Sequence, residues 1–207
     1  MLNTRIVHPA TIMVVAPTSG GKTTPVRRLI HYSEVMFDEP PEQIFWHYAV
    51  PQPWFSEEKK ITFIEGLPDV NDLDPKIRQL VVLDDFMSDT NGDVEKMFTT
   101  YSHHRNASVI FNSQNLFFKS KNQKSMSLNT QYLFLMKSVR DVTQINILGR
   151  QMFPDKKDYL LDAYKKATAE PWGYLLVDLK PNTPDDMRLR SNIFPGETKT
   201  YYLPIDK

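Results

Sequence analysis

The sequence predicts an α/β fold in which a mainly parallel sheet is flanked by helices. Short apolar runs rich in Ile, Val, Phe and Tyr recur along the 207 residues, and stretches with helical character separate most of them. Several of these runs lack an alternation of apolar and polar residues, which is typical of strands covered on both faces. Strands that alternate with helices favour a parallel sheet joined by right-handed crossovers.

The individual elements follow from these runs and from the segments between them. We predict strands at residues 11–16, 43–49, 80–83, 108–112, 132–136 and 174–179, with a further candidate at 61–64. Helices are predicted at residues 22–34, 93–103, 141–151 and 155–169. A chain of this length suits one domain, so residues 1–207 are predicted to form a single unit. Residues 181–207 contain strand-like pieces at 187–189 and 200–203, which indicate either a C-terminal hairpin or an arm reaching a neighbouring subunit.

Composition narrows the class of protein. Apolar residues make up 41% and charged residues 24%, which is ordinary for a soluble globular protein. Basic and acidic residues number 25 each, so any contact with nucleic acid must come from a local patch. The absence of Cys excludes disulfides, thiolate zinc sites and cysteine nucleophiles.

No apolar run approaches the roughly 20 residues of a membrane span. Since a secretory signal is also lacking, we expect an intracellular protein without a membrane segment.

A phosphate-binding loop follows the first predicted strand. The segment APTSGGKT, from Ala16 to Thr23, matches the P-loop pattern G-x-x-x-x-G-K-[ST] except that Ala16 replaces the first glycine. In this pattern small residues turn backbone N–H groups toward a phosphate, Lys22 reaches the β and γ phosphates, and Thr23 helps to hold Mg²⁺. The predicted nucleotide-binding residues are Thr18, Ser19, Gly20, Gly21, Lys22, Thr23 and Thr24.

The residues on either side of the loop strengthen this interpretation. An apolar strand leads directly into the loop, and helix-forming residues follow it. Pro25 would fall in the first helical turn, where its missing N–H costs little. The alternative is a glycine-rich turn that happens to precede a lysine.

Two acidic residues, Asp84 and Asp85, follow the apolar run LVVL at residues 80–83. Ligands of open α/β sheets gather at the carboxyl ends of the strands, where these acids would lie. Asp84 is predicted to orient Mg²⁺ or its bound water, and Asp85 to act as the general base that polarises the attacking water. Alternatively, both acids cap the next helix. With the loop upstream, the pair indicates ATP hydrolysis by a P-loop NTPase fold of the RecA/ASCE-like kind.

Candidates for the remaining functions are less specific. Gln114, at the end of the strand predicted over residues 108–112, is the preferred sensor of the γ-phosphate, although amides there could simply cap a turn. Arg105 and Arg140 are candidates for an arginine that stabilises charge on the transferred phosphoryl group, often from a neighbouring subunit. Ordinary surface arginines are the alternative. The tryptophans are most simply core or docking residues.

A cluster of lysines near two phenylalanines could contact DNA. Lys119, Lys121 and Lys124 follow Phe117 and Phe118 in a predicted loop, where they could track a phosphate backbone. A solvated loop anchored by two core phenylalanines would explain the same residues.

Several segments together resemble the viral genome-packaging ATPases of the FtsK–HerA superfamily. The resemblance is strongest to the packaging ATPases of Polinton/Maverick elements, adintoviruses and poxvirus-like large DNA viruses. It extends over residues 14–195 and rests on APTSGGKTT at 16–24, LVVLDDFM at 80–87, SHHRNASVIFNSQNLF at 102–117, SLNTQYLFLMKSVRD at 127–141 and PWGYLLVDLKPNTPDDMRLRSNIFPGE at 171–197.

This resemblance implies a motor that moves double-stranded DNA into a preformed capsid. The implied partners are ATP, Mg²⁺, DNA, capsid proteins and further copies of the chain in a ring, a pentamer or a hexamer, at the assembling virion in an infected host cell. The family pattern assigns Lys22 and Thr23 to phosphate and Mg²⁺, Asp84 to Mg²⁺, Asp85 to catalysis and Gln114 to sensing. The rival interpretations are a P-loop nucleotide or nucleoside kinase, which the acidic pair disfavours, and an assembly protein switched by bound nucleotide.

Overall fold

The computed structural model of the protein describes residues 4–86, 92–116 and 126–204. Its strands, in chain order, are β1 (Thr11–Val15), β2 (Gln43–Tyr48), β3 (Thr62–Glu65), β4 (Gln79–Asp84), β5 (Ala107–Ser113), β6 (Tyr132–Met136), β7 (Tyr174–Asp178), β8 (Leu189–Ser191) and β9 (Thr200–Tyr201). Its α-helices are α1 (Thr23–His31), α2 (Ser33–Met36), α3 (Asp93–Lys96), α4 (Ser102–His104), α5 (Val142–Met152) and α6 (Tyr159–Ala167). A π-helical segment (Met97–Tyr101) joins α3 to α4.

The nine strands form one sheet in the order β3-β2-β4-β5-β1-β6-β7-β8-β9. The pairs from β3 through β6 are all parallel. One strand, β5, lies between β1, which precedes the phosphate loop, and β4, which ends in the acidic pair. The predicted α/β fold with a mainly parallel sheet flanked by helices is therefore confirmed.

Alternating side chains of the central strands point to two separate hydrophobic cores. Ile12 and Val14 of β1 are fully buried in the cluster that contains the apolar residues of α1. Met13 and Val15 point to the other face, into the cluster that contains those of α5 and α6. Because both faces of the sheet are covered, the central strands contain runs of consecutive apolar residues, as the sequence pattern indicates.

The end of the sheet beyond β6 is antiparallel, which the sequence pattern did not reveal. Two helices, α5 and α6, connect β6 to β7, so the chain returns to the carboxyl edge of the sheet before β7 begins. The helices pack closely at Gly149, where an added Cβ would lie 3.2 Å from Cβ of Leu160. Strands β7, β8 and β9 then pair antiparallel, and a buried ion pair joins β8 to β7, with Arg190 Nη2 2.8 Å from Asp178 Oδ2.

Some predicted boundaries were wrong for local reasons. The helix predicted over residues 22–34 is divided at Tyr32 into α1 and α2, and the last long helix begins at Tyr159 instead of Asp155. The strand predicted at residues 187–189 begins at Leu189, because a 3₁₀ turn occupies Asp185–Met187. Arg188 stabilises that turn by donating to Asp185 Oδ1 at 2.7 Å and to the carbonyl of Lys180 at 2.7 Å. Across the described ranges, no helix combines the length and apolar character that crossing a membrane requires.

Candidate functional site

Three strands bring the candidate residues to one edge of the sheet. The phosphate loop follows β1, Asp84 ends β4 with Asp85 next to it, and Gln114 directly follows β5, all at carboxyl ends of parallel strands. The register places Asp84 opposite Asn112, and Asn112 opposite Val14. Together these segments surround a cavity of about 390 Å³. It is lined by Thr18, Ser19, Gly20, Gly21, Lys22, Thr23, Thr24, Gln52, Asp84, Asp85, Gln114 and Trp172.

The loop folds tightly on its own first residues. The N–H of Gly20 donates to the carbonyl of Pro17 at 2.8 Å, and Ser19 and Gly21 have positive φ angles of 60° and 84°. A Cβ added to Gly20 would lie 2.8 Å from the Pro17 carbonyl oxygen and 3.0 Å from Cβ of Ala16. Ala16 is fully buried there, so its methyl group is accommodated because Gly20 has no side chain. This packing explains how the loop tolerates its departure from the usual first glycine.

The start of α1 is suited to binding an anion. Lys22 is the N-cap residue, no side chain caps the helix, and no acidic residue lies in its first turn. The positive end of the helix dipole therefore favours a phosphate at this point, where the N–H of Thr24 donates to the carbonyl of Gly21 at 3.0 Å. Pro25 is the third residue of α1 and is buried, so its missing N–H falls in the turn where no intrahelical bond is needed.

Lys22 faces the acidic pair across the cavity. Its Nζ donates to the carbonyl of Ala16 at 3.3 Å, a long bond that leaves two ammonium hydrogens for a ligand. Burial lowers the pKa of Lys22, while the charges of Asp84 and Asp85 act in the opposite direction. The cavity is thus lined by one cationic side chain and two carboxylates. This combination suits a phosphate group bound together with a metal ion.

Asp84 is buried and held by two side-chain amides. Its Oδ1 accepts from Nδ2 of Asn112 at 2.9 Å, and its Oδ2 accepts from Nε2 of Gln52 at 3.2 Å. Burial raises the pKa of Asp84, and the hydrogen bond from Asn112 opposes this shift. Each carboxylate oxygen keeps a lone pair, because an ionised carboxylate has about four acceptor positions. Asp84 can therefore accept a metal ion without breaking its amide contacts.

The donor set suits Mg²⁺. Thr23 and Asp84 line the same cavity and supply a hydroxyl and a carboxylate, which are the hard oxygen ligands that Mg²⁺ prefers. Within the described ranges, no group of three or more His, Asp or Glu side chains could hold a metal alone. Mg²⁺ commonly binds through one or two protein oxygens together with water and substrate phosphates, so the residues present fit it.

Asp85 has a different environment from its neighbour. It is exposed, and its φ of 67° lies in the left-handed region, which Asp adopts more readily than most residues. Nε2 of the half-buried Gln114 lies 3.5 Å from its Oδ1, so the preferred sensor and the predicted base are neighbours in the cavity. One carboxylate is thus fixed and buried, while the other is free to contact a reacting water.

Two lining residues were missed at the sequence level. Gln52 follows β2, and its Oε1 accepts from Nε1 of Trp54 at 2.7 Å while its Nε2 donates to Asp84. Trp54 is itself held, since the guanidinium of Arg27 lies 4.5 Å from its ring centroid. Trp172 was expected in the core or at a docking surface, but it is 63% exposed and borders the phosphate loop at Gly21. A glutamine between two prolines and a tryptophan before a glycine match no motif, so no local signal identified them.

The two candidate arginines do not line the cavity of their own chain. Arg105 precedes β5 and lies at the opposite edge of the sheet, about 20 Å away given the rise of the seven-residue strand. Arg140 follows β6 at the same edge as the loop and is exposed. The predicted DNA-contacting residues Lys119, Lys121 and Lys124 lie outside the described residues.

Comparison with solved structures identifies relatives in fold. The chain is similar to the genome packaging NTPase B204 from Sulfolobus turreted icosahedral virus 2 in complex with AMP, with a TM-score of 0.54, 8% identity, and coverage of 99% of this chain and 100% of that one. The same protein in complex with AMPPCP gives a TM-score of 0.53 at 8% identity, over 97% and 100%. B204, the DNA-packaging ATPase from Sulfolobus turreted icosahedral virus, gives 0.51 at 9% identity, over 99% and 100%.

At such low identity these similarities describe the fold. No family model matches the chain, and no curated protein sequence matches it. The shared architecture nevertheless covers nearly the whole of both chains, including the strands that carry the candidate site.

Proposed function

We propose that this protein is a Mg²⁺-dependent ATPase that powers the packaging of viral double-stranded DNA. The observation that carries the proposal is the single cavity in which the phosphate loop and Lys22 face Asp84 and Asp85. A loop alone would bind phosphate, whereas a loop opposite two carboxylates in different environments suits hydrolysis. The similarity in fold to a genome packaging NTPase supports the proposed role in DNA packaging.

Each residue of the cavity has a distinct part in the proposed reaction. The loop N–H groups and Lys22 hold the β and γ phosphates, and Thr23 and Asp84 hold Mg²⁺, which neutralises developing charge when bound. Asp85 accepts a proton from the attacking water, and Gln114, 3.5 Å from Asp85, helps to orient that water. Because Asp84 is fixed by two amides, the carboxylate that would hold the metal is oriented before the nucleotide arrives.

The motor role extends this chemistry to partners. We propose a homo-oligomeric ring of FtsK–HerA type, working on double-stranded DNA with viral capsid proteins in an infected cell. Arg140 is the better candidate for an arginine supplied to a neighbour, because it is exposed at the same edge as the loop but outside its own cavity. Lys119, Lys121 and Lys124 remain the proposed DNA contacts.

The test is phosphate release by the full chain, measured without any acceptor other than water. We expect hydrolysis that requires Mg²⁺ and rises both with protein concentration, as rings form, and with added double-stranded DNA. A monomer that hydrolyses ATP at its full rate regardless of DNA would contradict the motor. Release only in the presence of a nucleoside or nucleotide acceptor would indicate a kinase, and tight binding without turnover in DNA-bound rings would indicate an assembly switch.

Gln52 provides a separate prediction for the metal site. Gln52→Ala removes the amide that donates to Asp84 Oδ2, so the carboxylate loses one of the two hydrogen bonds that orient it. Loss of such outer contacts typically lowers metal affinity or activity about 10- to 100-fold. We therefore expect the Mg²⁺ concentration needed for half-maximal ATPase activity to rise by about tenfold or more.

The matched control is Gln43→Ala, which removes an exposed glutamine at the start of β2. Trp54→Phe removes the N–H that orients Gln52 but keeps an aromatic ring beside Arg27, so a smaller shift is expected. An unchanged Mg²⁺ requirement in Gln52→Ala would mean that Asn112 alone positions Asp84.

A further inference from the structure

Backbone strain is concentrated around the candidate site. Five non-glycine residues of the described chain have positive φ, and three of them, Ser19, Asp85 and Trp172, line the same cavity. A positive φ is uncommon for any non-glycine residue and is a true outlier for a bulky one. Trp172 has a φ of 64°, so its conformation must be stabilised by its surroundings.

The turn after α6 places Trp172 beside the phosphate loop. The N–H of Gly173 donates to the carbonyl of Glu170 at 3.1 Å, and a Cβ at Gly173 would lie 2.4 Å from the carbonyl oxygen of Ala167. The chain therefore turns so tightly behind the helix that only glycine fits at residue 173. The indole is directed at Gly21, where an added Cβ would lie 2.5 Å from Cε3 of Trp172.

The indole of Trp172 is largely exposed. Trp172 is 63% exposed, and in the described part of the chain no aromatic ring or cation stacks on it. The other tryptophans differ, since Trp46 is fully buried and lies 5.1 Å from the ring of Trp54. The exposed indole leaves a large apolar surface in water, and a flat ligand that stacks on it would remove part of that surface from solvent.

The sheet order indicates which part of a ligand would reach Trp172. The acidic residues lie at the end of β4, two strands from β1 on one side, while Trp172 lies two residues before β7, two strands from β1 on the other. With strands about 4.8 Å apart, each lies roughly 10 Å from the loop strand in opposite directions. A triphosphate held by the loop with its γ-phosphate toward Asp84 and Asp85 would direct its nucleoside end to the other side of the loop, where β6 and β7 lie.

We propose that Trp172 is the platform on which the base of the bound nucleoside triphosphate stacks. The proposal rests on the proposed nucleotide site and adds how its nucleoside end is recognised. Stacking relies on the π face that every base has, so the ligand class is a nucleoside triphosphate, with purines favoured by their larger rings.

The experiment compares two ligands on the full chain. MgATP and magnesium tripolyphosphate share the phosphates, but only MgATP has a base. We expect Trp172→Ala and Trp172→Leu to weaken MgATP binding about tenfold, within the range for loss of one base-stacking aromatic ring, and to leave tripolyphosphate binding unchanged. Trp172→Phe should stay within about threefold of the wild type, because a ring is retained.

Val139→Ala is the matched control, because Val139 is 92% exposed at the same edge and does not line the cavity. Equal weakening of both ligands by Trp172→Leu would overturn the proposal and make Trp172 a support of the loop. MgATP affinity unchanged in Trp172→Leu would also overturn it. A wild type that binds neither ligand would instead refute the nucleotide site itself, so the two failures are distinguishable. If Trp172→Ala lowers the melting temperature sharply, the MgATP affinities of Trp172→Leu and Trp172→Phe are compared instead. Weaker binding by the Leu variant than by the Phe variant supports stacking, and equal binding contradicts it.

Discussion

Replacing Lys22 with Ala is expected to abolish nucleotide turnover. Lys22 is the cation of the cavity that faces both carboxylates, and it is the N-cap residue of α1. Without it the γ-phosphate would approach Asp84 and Asp85 with no compensating positive side chain. Loss of one preorganised group that stabilises transition-state charge costs about 10²- to 10³-fold in rate, and weaker nucleotide binding adds to this loss. Phosphate release and MgATP binding by calorimetry measure the two effects.

The control for this change is Lys165→Ala, which removes an exposed lysine of α6 that does not line the cavity. Its turnover should equal that of the wild type. Lys22→Arg keeps the charge but replaces a compact ammonium with a larger planar group, so it should recover little activity. Turnover above one tenth of the wild-type rate in Lys22→Ala would mean that the loop does not hold the reacting phosphate.

The parts of the site that sequence could predict are those set by local pattern. The loop from Ala16 to Thr23 has the spacing typical of a phosphate loop between a strand and a helix, and the acids follow an apolar run that ends at a sheet edge. Because parallel strands place their carboxyl ends together, these two segments could be expected to meet without knowledge of the strand order. The structure brings Lys22, Asp84, Asp85 and Gln114 to one cavity.

The parts that could not be predicted depend on contacts between distant segments. Gln52 reaches Asp84 because β2 and β4 are neighbours in register, which nothing near residue 52 in the sequence indicates. Trp172 reaches Gly21 because α5 and α6 return the chain to the carboxyl edge before β7, so a residue 151 positions away borders the loop. Such placement follows from tertiary packing, on which hydrophobic periodicity carries no information.

The same reasoning explains the arginine candidates. Both arginines were chosen because they flank strands, but flanking residues lie at either edge of the sheet. Arg105 precedes β5 and therefore lies at the amino edge, whereas Arg140 follows β6 at the carboxyl edge. Attention to strand polarity alone would have ranked Arg140 first for contact with a nucleotide at this edge, and Arg105 would need an entirely different subunit arrangement.

Replacing Asp85 with Asn is expected to separate nucleotide binding from hydrolysis. Asn is isosteric with Asp, tolerates the left-handed φ of 67°, and keeps an oxygen for the amide of Gln114, so the local structure should be retained. It cannot accept a proton from water, and general base catalysis typically contributes 10²- to 10⁴-fold. We expect MgATP affinity within about threefold of the wild type and a single-turnover rate at least 100-fold lower.

Asp84→Asn is the paired variant that distinguishes the two acids. Asp84 is the buried carboxylate with lone pairs free for the metal, so its loss should weaken binding of MgATP while leaving binding of ATP without Mg²⁺ unchanged. Hydrolysis close to the wild-type rate in Asp85→Asn would show that another group activates the water. Equal loss of MgATP affinity in both variants would mean that the carboxylates share the metal. Separate roles require that Asp84→Asn weakens MgATP binding and that Asp85→Asn slows hydrolysis without weakening binding. This difference is expected because Asp84 is held by two amides, whereas Asp85 is exposed in the cavity.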